Sequence, residues 1–342
     1  MKKLGIFTRY DRLGASSRLR FFQWESDFAA AGFQPEFFPF FSDTYLKKLY
    51  SEHSRSKWKF VVAVIRRFFQ LLKAPEYLLI EYELFPLFPA ALELLLLARK
   101  KYILNFDDNV WEKYRNYPRL ADKYDRLIAH AAGVIAANKF LYEKVRKLNS
   151  NTLLLPTVIQ LEDYQKTVLS KPERFTLGWI GTPVTYRYLQ EFAPVLQQAA
   201  QQTDFVLKVI ASENLPPIPG VNISFVNWSA ETEVEELCSC HAGIMPLTDD
   251  DFSKGKSAFK LIQYLGAGLP AIASPVGENC SVVTPGTGFL PQNAQEWSEA
   301  VAALAEDTAL RQKMSSAARD RAYEYSQIKY APLLEEFLTR LL

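Results

Sequence analysis

Asp249-Asp250-Asp251-Phe252-Ser253-Lys254-Gly255-Lys256-Ser257-Ala258-Phe259-Lys260-Leu261-Ile262-Gln263-Tyr264-Leu265-Gly266-Ala267-Gly268-Leu269-Pro270 is the densest constellation in the chain. Ser257 or its neighbour is a natural helix start, and Gly268-Leu269-Pro270 is a natural stop. Lys256 and Lys260 are four apart and Lys260 and Gln263 three apart, so all three share one helix edge. Two lysines at a helix start combine charge with free backbone N–H groups and the positive end of the helix dipole, which suits a diphosphate. Taken alone, the same lysines also describe a solvated helix face. No G-x-x-x-x-G-K-[ST] precedes them, so the stretch is not a P-loop.

Working outward, the helix is bracketed by the short apolar runs Ala242–Met245 and Ala271–Ala273. Upstream, the runs 175–180, 205–210 and 223–225 alternate with helical patterns at 187–201 and 231–238, and a further helix is expected at 296–306. The first half repeats the theme, with strands expected at 3–8, 77–82, 102–106, 133–136 and 152–155. Helices there are expected at 17–31 and 120–132. Strands alternating with helices indicate parallel α/β architecture. The polar stretch 156–172 lacks an apolar period and reads as a linker. Two successive series of similar length predict two Rossmann-like domains, with ligands beyond the carboxyl ends of the strands and the cleft between the halves as the expected active site.

Composition sets the outer bounds. A length of 342 residues favours two domains. Hydrophobic residues at 49% and charged residues at 23% exclude wholesale disorder. Forty basic against 38 acidic residues give a formal +2, so net charge offers no case for nucleic acid as a partner. Three cysteines, Cys238, Cys240 and Cys280, fit a reducing compartment better than a disulfide framework. The N-terminal apolar run is broken at once by Thr8, Arg9 and Asp11, unlike a signal peptide. The most apolar stretch, 84–98, contains two prolines and Glu93 and is too short for a span. A cytoplasmic, soluble chain is expected.

Further candidates lie where strands end. Gly14-Ala15-Ser16-Ser17 follows the first strand; its small residues admit a ligand, and Ser16 or Ser17 is a candidate cap. Arg18 and Arg20 in the first turn oppose the helix dipole unless an anion is near. Only one glycine is present there, so the dinucleotide fingerprint is missing. Glu81 ends the second strand and Asp107-Asp108 the third; both are placed for metal binding, substrate hydroxyls or base catalysis, or simply for holding loops. Gly181-Thr182 turns a strand into a helix and offers N–H groups to an anion, with Arg187 adding charge. Cys238-Ser239-Cys240-His241 lacks a second ligand pair at zinc spacing, so no metal site is expected.

One segment departs from the neutral balance. Residues 47–73 carry Lys47, Lys48, Arg55, Lys57, Lys59, Arg66, Arg67 and Lys73 against Glu52, interleaved with Trp58, Phe60, Phe68, Phe69 and aliphatics. This is either a core-facing amphipathic helix with a solvated basic face, or a helix that lies on an anionic membrane surface.

Taken in order, Ala15–Arg20, Ile80–Pro86, Phe106-Asp107-Asp108, Leu155-Pro156-Thr157-Val158, Gly178–Pro183, Gly243–Leu247, Gly255-Lys256 to Pro270, Ser274–Gly277 and Gly288-Phe289 resemble a glycosyltransferase of the GT-B fold, family four, also called group 1. The resemblance covers nearly the whole chain. It implies an acceptor domain over 1–160 and a nucleotide-sugar domain over 161–324, with 325–342 crossing back to the first. It implies a retaining transfer that is metal-independent and needs no cofactor beyond the donor. With the basic segment 47–73 beside it, the expected acceptor is a glycan or lipid-linked, within polysaccharide or glycolipid biosynthesis, with the chain peripheral to the inner membrane face. The donor site comprises Gly181, Thr182, Arg187, Lys256, Lys260 and Gln263. Gly14, Ala15, Ser16, Arg18 and Glu81 lie on the acceptor side, and Asp107, Asp108, Lys256 and Lys260 are catalytic candidates. The chain departs from the family at Gly255 and Gln263, where two glutamates are usual, and near Asp107, where a histidine is common. Asp249–Asp251 are candidates for the missing acidity. The departures leave one alternative, a catalytically weakened nucleotide-sugar-binding protein, and the two-domain fold leaves another, a sugar-nucleotide epimerase.

Overall fold

The computed structural model describes residues 1–52, 56–167, 170–213 and 215–342. His53 and Arg55 of the basic segment lie outside the described residues. The chain divides into two compact units, the first comprising Met1–Thr157, Gly255–Ser257 and Tyr330–Leu342, the second Val158–Lys254 and Ala258–Lys329.

The first unit is built on β1 (Lys2–Tyr10), β2 (Phe33–Phe41), β3 (Tyr77–Glu81), β4 (Lys101–Phe106), β5 (Gly133–Ala136) and β6 (Thr152–Leu154), in the order β2-β1-β3-β4-β5-β6. Every pairing is parallel. Central strands such as Leu78-Leu79-Ile80 are apolar without alternation because helices cover both faces of the sheet. The second unit holds β7 (Thr176–Ile180), β8 (Val206–Ala211), β9 (Ile223–Asn227), β10 (Ala242–Met245), β11 (Ala271–Ala273) and β12 (Gly288–Phe289), also all parallel. Its order, β12-β11-β10-β7-β8-β9, is that of doubly wound nucleotide-binding sheets.

Two strands are absent from the sequence expectation. β2 contains Pro35 and Pro39, which cannot donate to a ladder, and it is accordingly an edge strand. The prolines are four apart and share one side of the strand, so both can face the open edge while β1 pairs on the other. β2 is also rich in aromatic contacts: Phe38 stacks on Phe7, Phe37 on Phe22, and Phe41 on Tyr45. β12 is two residues long and carries no pattern.

Two expected helices are broken. The stretch 17–31 is Ala15–Arg20, a 3-10 turn Phe22–Trp24, and Glu25–Ala30; the stretch 187–201 divides at Phe192 into Pro183–Glu191 and Ala193–Gln202. The polar stretch 156–172 is not a free linker. It forms the helix Leu161–Lys166, buries Ile159 and Tyr164 in the core of the second unit, and bridges Ile159 to Ser326. The last helix, Gln327–Leu341, returns to the first unit, where Phe337 packs within 2.8 Å of a Cβ built on Gly133.

Candidate functional site

In each sheet the chain leaves its first strand to one side and later resumes on the other. The crevice outside the strand ends at that switch is where ligands of such sheets bind. In the first unit the switch lies between β1 and β3, and Thr8–Arg20 and Glu81-Tyr82 leave from it. Gly14 is the N-cap of Ala15–Arg20 and no side chain caps that helix. Ser17 does not cap either. Its Oγ accepts from the Tyr10 N–H (3.0 Å) and donates to Glu81 Oε2 (2.7 Å). The Arg9 N–H donates to the same oxygen at 2.7 Å, so Glu81 does hold the loop backbone. Its other oxygen, Oε1, is buried with no partner. Burial and the charge of Asp107 push the Glu81 carboxyl up to about 7.

Asp107 lies at the end of β4, buried, and accepts a hydrogen bond from the Tyr82 hydroxyl. Burial raises its pKa, opposed by a hydrogen bond from Ser16 and by the charges of Arg20 and Lys256. Tyr82 reaches it from a left-handed backbone (φ 59°), a conformation a bulky residue keeps only when its surroundings enforce it. Arg20 is fully buried, donating to Asn105 Oδ1 (3.1 Å) and Leu155 O (2.8 Å), while its Nη2 finds no partner. Desolvation lowers its pKa to about 10. Ser16, Arg18 and Asp108 are partly exposed and Ala15 is exposed. The structure therefore gathers Ser16, Ser17, Arg20, Glu81, Tyr82 and Asp107 around one switch point.

Beneath them is a network absent from the sequence expectation. Lys123, fully buried, binds Glu83 Oε2 (2.6 Å), Glu93 Oε1 (2.7 Å) and Phe85 O (2.7 Å). Lys113, Tyr114 and Tyr124 also donate to Glu83. Glu93 accepts the N–H groups of Leu84 (2.9 Å) and Phe85 (3.0 Å). Burial alone would raise Glu83, but Lys123 and Lys113 bring it down to about 2. The network fixes the loop that follows β3.

Gly255–Ser257 cluster with this unit: Asn138 Nδ2 donates to Gly255 O (2.7 Å) and Lys256 O (3.1 Å). A Cβ at Gly255 would stand 2.9 Å from the Asn109 backbone nitrogen. The position where the family resemblance expects a glutamate thus has no room for a side chain.

In the second unit the switch lies between β7 and β10. Here the structure departs from the expected anion cradle. The Gly181 N–H donates to Ile210 O (3.0 Å) and the Thr182 N–H to Thr185 Oγ1 (3.0 Å), while the Thr185 N–H returns to Thr182 O (2.9 Å). Thr182 is the N-cap of Pro183–Glu191, and Pro183 has no N–H to offer. The motif spends its own donors. Gly181 is small for a packing reason, since a Cβ there would lie 2.7 Å from Thr185 Oγ1 and from the Trp179 ring.

The helix Phe259–Gly266 is different. Its N-cap is Ala258, in the left-handed region (φ 52°), and no side chain caps it; Ser257 does not. Lys260 in its first turn sets its ammonium 5.1 Å from the centroid of Trp179, the ring that also contacts Gly181. Gln263 is buried and makes no side-chain hydrogen bond to the described residues. The helix ends as its sequence suggests, with Gly268 at φ 64° and the Leu269 N–H on Tyr264 O (2.8 Å).

Arg187 stacks on Tyr188 (4.8 Å) and Phe252 (5.9 Å), and Tyr188 OH meets Ser253 Oγ at 3.2 Å. Two of the three aspartates held in reserve for acidity are engaged locally. Asp249 pairs with Lys254 (3.0 Å), and Asp250 accepts from the Ser253 N–H and Thr248 Oγ1, both at 2.7 Å. His241 Nδ1 accepts the Thr176 N–H (3.1 Å), and burial with the charges of Arg311 and Lys171 pushes it down to about 4. Among the described residues no group of three or more His, Cys, Asp or Glu side chains is placed to hold a metal ion. None of their helices is long and apolar enough to cross a membrane.

The two doubly wound units, with ligand crevices at their switch points, define a protein of the GT-B fold. Residues 174–307 match the family model described as Glycosyl transferases group 1. No curated protein sequence matches the chain. Among solved structures, sucrose-phosphate synthase from Thermosynechococcus elongatus superposes with a TM-score of 0.69 at 15% identity, covering 100% of this chain and 99% of that one. Anabaena HepE in complex with UDP-glucose gives 0.71 at 12% identity, covering 99% and 100%. The lipopolysaccharide outer core galactosyltransferase WaaB, in its apo form, gives 0.65 at 10% identity, covering 100% of both. At these identities the likeness is one of fold.

Proposed function

We propose that the chain is a retaining glycosyltransferase that moves a sugar from a nucleoside diphosphate sugar to an acceptor hydroxyl, in polysaccharide or glycolipid biosynthesis. The observation that carries this reading is the uncapped start of Phe259–Gly266, with Lys260 over Trp179, the ring that packs beside Gly181. An uncapped helix start beside a lysine is an anion site. The departing diphosphate gathers charge as the glycosidic bond breaks, and Lys260 with Lys256 stabilises it without a metal. Thr182 contributes its hydroxyl and Arg187 a charge near the donor, and Gln263 serves the ribose through its amide. On the other unit, Gly14, Ala15, Ser16, Arg18 and Glu81 border the acceptor, and Asp107 with Asp108 orients its hydroxyl. The acceptor is a glycan or lipid-linked, and the segment 47–73 meets an anionic membrane surface on the cytoplasmic side.

Because HepE is described in complexes with UDP and UDP-glucose, uridine diphosphate sugars are the first donors to test. Transfer or donor hydrolysis is measured across donors and acceptors, with Lys256→Ala and Lys260→Ala beside the wild type. Each variant is expected to lose turnover while keeping its fold; wild-type rates in both would overturn the assignment. A second reading, a nucleotide-sugar binder with weakened catalysis, is favoured by Gly255, whose position admits no carboxylate. Donor binding without turnover on any acceptor would select it.

A further inference from the structure

The helix Lys57–Lys73 does not turn its apolar stripe toward the core. Trp58, Val62, Ile65, Phe69 and Leu72 follow a four-three spacing along one face, and all are exposed, Trp58 by 73% and Leu72 by 60%. The inward face is narrow, with only Ala63, Arg67 and Leu71 buried. Arg67, which the sequence assigns to the basic face, lies inside. It donates to Phe38 O (2.8 Å) and Thr8 O (2.7 Å) and stacks on Phe7 (4.9 Å) and Phe40 (5.3 Å). Arg66 binds Pro39 O (3.0 Å) and Phe40 O (2.7 Å). Two arginines therefore clamp the helix to the end of β2 with its stripe outward. Neither a core-facing helix nor a purely basic face describes this arrangement.

Charge decides what covers the stripe. The helix contains no acidic residue, and Lys59, Arg66 and Lys73, spaced by seven, run along one border of the stripe. A second copy of this chain would set like charge against like. An anionic bilayer takes both features, apolar side chains into the acyl boundary and lysines onto headgroups. The neighbouring helix Ala90–Leu97 crosses over in the same direction, so right-handed connections put it on the same sheet face, where Leu95 is 74% exposed.

We propose that this face inserts into the headgroup boundary of an anionic membrane, the stripe supplying affinity and the lysines the preference for anionic lipid. The inference deepens the membrane setting of the proposed function, and its test reads no sugar transfer, so the two readings fail separately. The whole chain is floated with vesicles of phosphatidylcholine alone or with about three-tenths phosphatidylglycerol, at low and high salt. The wild type is expected on the anionic vesicles, with part of the binding surviving high salt. Trp58, the only exposed tryptophan among the described residues, should shift its fluorescence to the blue. Ile65→Ser with Phe69→Ser should weaken binding about tenfold or more, and Lys59→Glu or Lys73→Glu about fivefold each at low salt. Thermal unfolding checks that each variant is folded. No vesicle binding by the wild type, or serine variants that bind as it does, would overturn the inference. So would a wild-type dimer in solution that the serine variants abolish, because the stripe would then be covered by a second copy.

Discussion

The two units have parallel sheets of six strands each, yet their switch points are built from opposite materials. The first unit buries its charge: Glu81, Asp107 and Arg20 lie at the strand ends, over the Glu83–Lys123–Glu93 network. The second offers the Thr182 hydroxyl, Gln263 and one lysine on an uncapped helix, and among the described residues it has no buried carboxylate at the strand ends of β7 and β10. A site for a polyanion is cheapest to build from donors and mobile cations, whereas a site that orients a neutral hydroxyl needs fixed acceptors. On the proposed function, the donor falls to the second unit and the acceptor to the first.

The comparison breaks most severely at Lys123. Lys123→Ala strands Glu93 without its cation and leaves Glu83 with Lys113 alone, and removing one partner of a buried pair costs about 3–5 kcal/mol. Chemical denaturation should show that loss, while any nucleotide affinity of the remaining folded protein stays intact. Lys260→Ala works in the opposite sense. It should leave the denaturation midpoint nearly unchanged and lower transfer by about 10²–10³-fold, the range for one stabilising group at a developing anion.

The pH dependence sharpens the contrast. Glu81 has a folded pKa of about 7 against 4.5 in the unfolded chain, so between those values the folded state holds more protons. Its contribution to stability falls as pH rises from 4.5 to 7, by up to about 3 kcal/mol. Asp107, also raised, acts in the same direction. In the second unit His241 has the reverse sign: its folded pKa of about 4 lies below the ordinary 6.5, so stability is full above 6.5 and is lost as pH falls toward 4. Glu81→Gln should remove the first slope and His241→Asn the second, each read from thermal midpoints between pH 4 and 8. A Glu81→Gln protein with the wild-type slope would mean that the buried carboxyl does not govern it. The smallest effect is expected at Tyr82→Phe, which removes one donor from Asp107 and should shift the pH profile of turnover more than its maximum.

Much of the fold was legible because its strands are short apolar runs between helices. Gly133–Ala136, Ala242–Met245 and Ala271–Ala273 were readable to the residue. β2 was hidden by Pro35 and Pro39, which report an edge only once the neighbouring strand is known. The break at Phe21 carries no glycine or proline signal, whereas the one at Phe192 is announced by Pro194 in the first turn of the helix that follows. The lysine pair and Gly181-Thr182 stood out in the sequence, but not that the backbone donors at 181–182 are consumed by Ile210 and Thr185, which depends on a neighbouring strand and a capping hydroxyl. Glu83 and Lys123 are 40 residues apart, and nothing local links them. Periodicity identified the stripe on Lys57–Lys73, but not its direction, since the buried arginine that anchors it has the sequence signature of a surface residue.

The most direct test of the central claim, a nucleotide-sugar site in the second unit built on Lys260, is thermal unfolding of the whole chain with nucleoside diphosphates and their sugars. A ligand that binds only the folded state raises the midpoint in proportion to its saturation. At least one nucleoside diphosphate is expected to raise the midpoint of the wild type, and the same ligand to raise that of Lys260→Ala much less. A wild type that no nucleotide stabilises, or a Lys260→Ala protein stabilised to the same extent, would contradict the account.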